Sequence, residues 1–268
     1  MYNEHSLDTV CAALAYAMGI EPPAHAAAPN PKLVEYIDQK LGGKKADRIV
    51  MYNPDAIGQW IYEKYPKFTR EAKWKSDIEV PLCTVMPSVT PVCYATMYTG
   101  AQPEVHGIRA YEKPVLTIDT LFDALIRAGK KPVILAQKNT SLSIIYNNRD
   151  MDYIICDSIV ETNVKAMELL LEDKYDFIVI YNGNYDTRMH HHGPESVNAL
   201  AELRVNSELF ATFSLMIERN WKHHNTLVGF AMDHGCHEID GNSGAHGLDM
   251  EQDMNIVHLY RAYPAQND

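Results

Sequence analysis

Three stretches of the sequence place acidic or imidazole side chains directly after a run of apolar residues. Asp55 follows the apolar run 48–52, and Asp186 and His190 follow the apolar run 177–181. The third set, after the run 226–232, comprises Asp233, His234 and, a little later, His246. If these runs are parallel strands, their carboxyl ends share one edge of a sheet, so the polar groups that follow them converge.

Carboxylates and imidazoles without thiolates form a ligand set that suits zinc, manganese or iron, and tetrahedral zinc is the natural fit. Three aspartates and three histidines, together with Thr90, offer enough oxygen and nitrogen ligands for two divalent ions. Two ions about 4 Å apart can hold the attacking and leaving oxygens of an in-line displacement at phosphorus. Taken singly, each group fits a loop acid, a turn or a solvated histidine tract equally well. Their convergence favours a metal centre.

Thr90 stands where a nucleophile could face a phosphate. An apolar run, 80–85, precedes it, Pro91 follows it, and Gly100 ends the predicted helix. The pattern predicts that Thr90 is the N-cap of this helix and that its hydroxyl lies beside free backbone N–H groups, which attract anions. We expect the N–H groups near Val92 and Cys93 to help bind phosphoryl oxygens. Alone, the stretch fits a simple capping threonine better than a nucleophile.

The elements that must position these groups alternate between strands and helices. Strands are predicted at 48–52, 132–136, 153–156, 177–181, 226–232 and 256–260, and helices at 6–18, 31–41, 117–128, 160–172 and 195–221. The segments 66–79 and 182–194 are predicted to be irregular. This alternation predicts an α/β fold with a mostly parallel central sheet and helices on both faces.

Composition narrows the class of protein. The chain has 268 residues, a net charge of −11 and no basic stripe, which argues against a nucleic-acid scaffold role. Its five cysteines form no CxxC pair and are expected to be reduced thiols. We see no signal peptide and no apolar run near the roughly 20 residues that a membrane helix needs. The expectation is a cytoplasmic protein without a membrane anchor.

In order and spacing, these groups resemble the alkaline phosphatase superfamily, specifically its type I phosphodiesterase/nucleotide pyrophosphatase branch, which includes phosphonoacetate hydrolase. The four matching pieces are Asp55 after a strand, the segment from Pro87 and Thr90 through Thr99-Gly100 to His106-Gly107, Asp186-x3-His190-x2-Gly193-Pro194, and Asp233-His234-Gly235 with His246. The resemblance implies an alkaline phosphatase-like three-layer sandwich over residues 46–268, without a large cap domain. Residues 1–45 would form a helical segment packed on that core.

The resemblance also implies roles for individual residues. Asp55, Thr90, Asp233 and His234 would hold one metal ion, and Asp186, His190 and His246 the other. Thr90 would be the nucleophile in the hydrolysis of phosphodiester, pyrophosphate or phosphonate bonds of a small molecule, through a phosphothreonine intermediate. An asparagine that contacts a phosphoryl oxygen is expected three positions after the nucleophile, where this chain has Cys93. Asn182, Asn184 or Arg188 could supply that contact instead.

Other functions fit the same metal core. A phosphomonoesterase remains open, and a phosphomutase is disfavoured because the segment 100–177 is short and resembles ordinary α/β structure. No CxPxR motif occurs, which disfavours a formylglycine-dependent sulfatase. A non-catalytic metal-dependent binding protein is disfavoured by the complete ligand set and by Thr90. Substrate, metal identity and oligomeric state are left open by the sequence.

Overall fold

The computed structural model describes residues 1–266. Its main sheet has seven strands: β1 (Arg48–Pro54), β2 (Ile78–Cys83), β3 (Pro132–Gln137), β4 (Asp152–Cys156), β5 (Phe177–Asn182), β6 (Thr226–Phe230) and, after a small hairpin of β7 (His237–Ile239) and β8 (Ser243–Ala245), β9 (Asn255–Tyr263). The strand order is β2-β9-β6-β1-β5-β3-β4.

Six of these strands run in one direction, and β9 runs against its neighbours β6 and β2. The central strands β5 and β6 are buried along their whole length, as expected for near-continuous apolar strands covered on both faces. The predicted α/β fold with a mostly parallel central sheet is therefore confirmed. The carboxyl ends of β1, β2, β3, β5 and β6 all meet at the same edge.

Eleven helices within the described residues surround the sheets: α1 (Thr9–Met18), α2 (Pro31–Leu41), α3 (Gln59–Lys64), α4 (Arg70–Trp74), α5 (Thr90–Thr99), α6 (Pro103–His106), α7 (Leu121–Arg127), α8 (Ile159–Glu172), α9 (Asn184–His192), α10 (Val197–Asn220) and α11 (Glu251–Met254). No helix among residues 1–266 has both the length and the apolar character needed to cross a bilayer. All five cysteines are free thiols.

Several predicted boundaries were wrong for local reasons. The helix expected at 117–128 begins after Thr120, because Thr120 and Asp123 form a reciprocal capping box there. The segment 66–79 was predicted to be irregular but contains α4 and the start of β2. The segment 182–194, predicted to be a loop, is mostly the helix α9, whose Tyr185 and Met189 are buried.

The N-terminal segment is joined to the rest of the chain by packing and by backbone bonds. Helix α1, buried at eight of its ten positions, packs against α2, α5 and α7. Leu7 N donates to the carbonyl of Cys83 at the end of β2, and Cys83 N donates to the carbonyl of His5. Through these contacts the segment supports the helix that begins at Thr90.

Candidate metal centre and active site

The first cluster lies between the ends of β1, β2 and β6 and consists of Asp55, Thr90, Asp233 and His234, all buried. Thr90 Oγ1 lies 3.3 Å from His234 Nε2 and 3.3 and 3.4 Å from the two carboxylate oxygens of Asp55. His234 Nε2 lies 3.4 Å from Asp55 Oδ1 and 3.2 Å from Asp233 Oδ2. Four potential ligand atoms therefore surround one small volume.

Tight backbone packing holds this cluster in place. The N–H of Ala56, a residue with φ of +63°, donates to Asp233 Oδ1 at 3.1 Å. Thr84 Oγ1 donates to the carbonyl of Asp233 at 2.6 Å. Gly235 passes so close to Gln252 that an added Cβ would lie 1.9 Å from the Gln252 carbonyl oxygen. Only glycine fits beside His234, so the loop after β6 is fixed by sterics.

The second cluster combines helix α9 with the loop after β8. Asp186 and His190 lie four positions apart on α9 and therefore share one face of the helix. Asp186 Oδ1 is 3.2 Å from His190 Nε2 and 3.3 Å from His246 Nε2, and the two Nε2 atoms are 3.1 Å apart. These spacings are close to the edges, of about 3.3 Å, of a tetrahedron of ligands bound about 2.0–2.1 Å from a zinc ion.

Backbone carbonyls orient the three imidazoles. His190 Nδ1 lies 2.9 Å from the carbonyl of Gly244, His234 Nδ1 2.9 Å from that of Gly235, and His246 Nδ1 3.0 Å from that of Ser88. A carbonyl can only accept, so each Nδ1 carries a proton and each Nε2 faces its cluster. Metal-binding histidines commonly have this second contact.

The charge and burial of the carboxylates and imidazoles in both clusters are also compatible with bound cations. Asp186 Oδ1 and Asp233 Oδ2 are buried and accept no well-formed hydrogen bond from residues 1–266. Burial, and then the charge of Asp186, raise the pKa of Asp55, and burial raises the pKa of Asp233. Burial would also raise the pKa of Asp186, but the imidazoles of His190 and His246 lower it. Burial lowers the pKa of His234, which keeps this ring neutral. Divalent ions would satisfy both unpartnered oxygens, so the residues present fit two metal sites.

The start of α5 differs in detail from the prediction. The N-cap is Val89, and Thr90 is the first helical residue, with Pro91 second. The N–H groups of Val92 and Cys93 both donate to the Val89 carbonyl at 3.0 Å. The expectation that these two groups bind phosphoryl oxygens was therefore wrong, because the first turn of the helix already uses them. The Thr90 hydroxyl still points into the first cluster.

The four residues predicted to bind substrate lie elsewhere. Cys93 is fully buried, with Thr84 Oγ1 3.2 Å from its Sγ, and burial raises the pKa of its thiol. Asn182 is also buried, and it binds Tyr52 and the N–H of Asn184. The side chains of Asn184 and Arg188 both face Glu202 on α10. Among the described residues, none of these four lines the cleft beside Thr90.

That cleft has a volume of ≈ 170 Å³ and is open to solvent. Asp55, Thr90 and Asp186, from the two clusters, line one part of it, and the remaining lining residues are Tyr111, Lys113, Gln137, Asn139, Thr140, Ser141, Tyr181, Gly183 and Thr187. The hydroxyl of Tyr181 donates to Asp55 Oδ2. Most of the other lining residues come from the loops after α6 and after β3. The polar composition of these two loops was the only sign in the sequence that they could line a cleft.

A third group of possible ligands, Asp173, His223 and His224, lies at the opposite edge of the sheet. Asp173 Oδ2 is 2.8 Å from His224 Nε2, and Asp173 Oδ1 accepts from the Nε of Arg48 at 3.0 Å. Arg48 is the first residue of β1, so this group lies far from Thr90. Its ion pairs account for these residues without a metal ion.

Residues 52–123 match the family model described as type I phosphodiesterase / nucleotide pyrophosphatase, and this range includes Asp55 and Thr90. No curated protein matches the sequence. The match and the fold together confirm the predicted resemblance to the alkaline phosphatase superfamily and to this branch of it.

Solved structures share the fold. Murine ectonucleotide pyrophosphatase/phosphodiesterase 5 superposes with a TM-score of 0.59 at 17% identity, over 72% of this chain and 58% of the murine chain. For the human counterpart the TM-score is 0.56 at 18% identity, again over 72% and 58% of the two chains. An inactive variant of the murine protein in complex with AMP gives 0.57 at 17% identity, over 73% and 59%. The chain thus spans less than three fifths of these relatives' length.

Proposed function

From its resemblance to the type I phosphodiesterase/nucleotide pyrophosphatase branch, we propose that this chain is a metal-dependent phosphoric ester hydrolase that uses Thr90 as its nucleophile. Its substrates would be small molecules with phosphodiester, pyrophosphate or phosphonate bonds. The observation that carries the proposal is the position of Thr90. Its hydroxyl lies within 3.4 Å of Asp55 and His234 and lines an open cleft that Asp186 of the second cluster also lines.

Two divalent ions, of which zinc suits the ligands best, would complete the site. Asp55, Thr90, Asp233 and His234 would hold one, and Asp186, His190 and His246 the other. Bound there, such ions supply Lewis-acid stabilisation of phosphoryl charge and a lowered pKa for a coordinated hydroxyl.

The chain's own residues would bind and attack the substrate. Thr90 Oγ1 forms a bond to phosphorus while the bond from phosphorus to the leaving group breaks, and the hydroxyl proton passes to water in the cleft. The leaving group departs toward the open side and takes up a proton from solvent. Water then cleaves phospho-Thr90, which restores the hydroxyl and releases the phosphoryl product. Tyr181, by donating to Asp55, fixes the carboxylate beside Thr90.

Nucleotides are the proposed substrate class, because an inactive variant of a protein with this fold has been solved in complex with AMP. The cleft of ≈ 170 Å³ is smaller than the roughly 300–1,000 Å³ of pockets that enclose drug-sized ligands. A nucleoside would therefore extend out of the cleft into solvent.

The test is hydrolysis of a chromogenic phosphodiester by the purified chain supplied with zinc or manganese. We expect Thr90→Ala to abolish turnover while metal content, measured by elemental analysis, is retained. Full activity in that variant would refute the nucleophile assignment. Turnover of monoesters alone by the wild type would favour a phosphomonoesterase. Two bound ions without turnover of any diester, monoester or phosphonate would favour a binding protein.

A further inference from the structure

A single buried carboxylate, that of Asp253, lies at the base of the loop that carries two of the candidate metal ligands. Asp253 is the third residue of α11 and is fully buried. His234 of the first cluster and His246 of the second lie at the two ends of the segment 234–246. The β7–β8 hairpin forms the middle of this segment, and its tip is exposed. The position of one histidine relative to the other therefore depends on contacts at the base of the loop.

Asp253 binds both ends of this loop. Its backbone carbonyl accepts a hydrogen bond from the N–H of Gly235, directly after His234, at 2.8 Å. Its Oδ2 accepts one from the N–H of Leu248, two residues after His246, at 2.9 Å. The backbone bond thus holds the end of the loop that belongs to the first cluster, and the carboxylate bond holds the end that belongs to the second.

His237 holds the carboxylate in this orientation. Its Nδ1 donates to Asp253 Oδ1 at 2.8 Å, and its side chain is only 12% exposed. The two carboxylate oxygens therefore have separate donors, His237 and the N–H of Leu248. Hydrogen bonds to a charged acceptor are stronger than those between neutral groups. A carboxylate that is fixed in this way can in turn fix the loop.

The two histidine rings that this loop presents lie close together. The ring centroids of His234 and His246 are 4.2 Å apart. The two clusters thus adjoin, as is needed for two ions about 4 Å apart to hold one phosphoryl group between them. A displacement of the His246 end of the loop would therefore change the second site and its distance from the first.

We propose that Asp253 is a positioning residue that sets the distance between the two metal sites, by holding His246 in the second cluster through Leu248. This inference rests on the two metal sites of the proposed function. Because Gly235 donates to the backbone of Asp253, a change of the Asp253 side chain releases only the end of the loop that carries His246. The first site should therefore tolerate a substitution that the second site does not.

Manganese binding tests this role, because two neighbouring Mn²⁺ ions give an exchange-coupled EPR spectrum that isolated ions do not. We expect wild type to bind two ions and to show this spectrum. Asp253→Ala should bind the first ion as wild type does and the second about 10- to 100-fold more weakly, the usual loss when a group behind a ligand is removed. With excess Mn²⁺ filling both sites, its spectrum should show weaker coupling, because His246 no longer holds the second ion at the same distance from the first.

Two further variants separate position from charge and from general effects on the loop. In Asp253→Asn, the amide oxygen can accept from Leu248 N, and the amide nitrogen can donate to the other neutral tautomer of His237, so the second ion and the coupled spectrum should be retained. Asp249→Ala is the control, since Asp249 is an exposed carboxylate four residues earlier whose partner is the Tyr2 hydroxyl, at 2.5 Å. This variant should match wild type.

A second-ion affinity and a coupled spectrum in Asp253→Ala equal to those of wild type would overturn the inference. An Asp253→Asn variant as impaired as Asp253→Ala would do the same. If Asp253→Ala does not fold, His237→Ala should weaken the second ion in its place, and an unchanged affinity there would overturn the inference.

The same measurements distinguish this inference from the proposed function. Coupling that is present in wild type and weakened in Asp253→Ala, without hydrolysis of any phosphoric ester, refutes the proposed function and supports the role of Asp253. Hydrolysis by a wild type that shows no coupled pair of ions overturns the inference alone. Neither hydrolysis nor a coupled pair refutes both.

Discussion

The two proposed metal sites can be distinguished experimentally by substitutions at neighbouring positions of one helix. His190 contributes its Nε2 to the second cluster, whereas the next residue, His191, is exposed and belongs to neither cluster. We expect His190→Gln to remove the second ion and leave the first, since Asp55, Asp233 and His234 are unchanged. His191→Gln is the matched control, because it makes the same chemical change one position along α9.

The expected change in Tm follows from the number of ligands that remain at the second site. His190→Gln leaves the second site with Asp186 and His246, two of its three protein ligands. An ion present at a hundredfold excess over its Kd stabilises a folded chain by about 2.7 kcal/mol. For chains of roughly this size, 1 kcal/mol corresponds to about 2–4 °C in Tm. Loss of one ion should therefore lower the Tm by roughly 5–10 °C.

The assay combines elemental analysis of the dialysed protein with thermal unfolding, each with and without a chelator. We expect about two ions per chain for wild type and His191→Gln, and about one for His190→Gln. With chelator, all three proteins should unfold within about 2 °C of one another, since a half-exposed histidine contributes little packing of its own. Two ions retained by His190→Gln, or a Tm difference that persists in chelator, would refute this assignment of the second site.

Two further predictions concern stability. Gly235→Ala should cost about 3 kcal/mol or more in urea unfolding, because its Cβ would collide with the backbone carbonyl of Gln252; an unchanged midpoint would contradict this close approach. His258 is fully buried between Tyr260 and the Met232 carbonyl, and burial lowers its pKa to about 4. Because the unfolded chain binds this proton more readily, stability should fall by about 2 kcal/mol between pH 7.5 and 5. That part of the pH dependence should be missing in His258→Gln.

The convergence of the candidate metal ligands could be predicted because strand ends are visible in the sequence. Apolar runs identify β1, β5 and β6, and the rule that parallel strands share a carboxyl edge brings Asp55, Asp186 and Asp233 together without any coordinates. The family resemblance also implied that Asp186 and His190 share one metal site. It could not show that a helix aligns them, because the N-cap of α9 is Gly183, which has no side chain to cap the helix, and α9 is rich in polar residues. Burial of Tyr185 against the rest of the fold stabilises α9 despite the weak helix propensity of its sequence.

The substrate side could not be predicted in the same way. Tyr111 and Lys113 belong to an irregular loop, and nothing in their neighbouring residues indicates that this loop folds over Thr90. Cys93 was singled out because it stands where the resemblance places an asparagine, and Asn182 as a possible replacement for it, but both side chains are buried. Residues on regular elements can be placed by periodicity. Residues on long loops are placed by contacts such as the one from Lys113 to Asn139, which only the fold reveals.

The charges of the two clusters explain why their ligand sets differ. The first cluster has two carboxylates and one imidazole that burial keeps neutral, so it can balance the charge of one divalent ion. The second has one carboxylate and two imidazoles, so an ion bound there would keep a net positive charge. Asp186 of the second cluster lines the cleft, and so does Lys113, which brings a positive charge. With both proposed ions bound, an acidic protein with a net charge of −11 would present a locally positive cleft, as an anionic phosphoryl substrate requires.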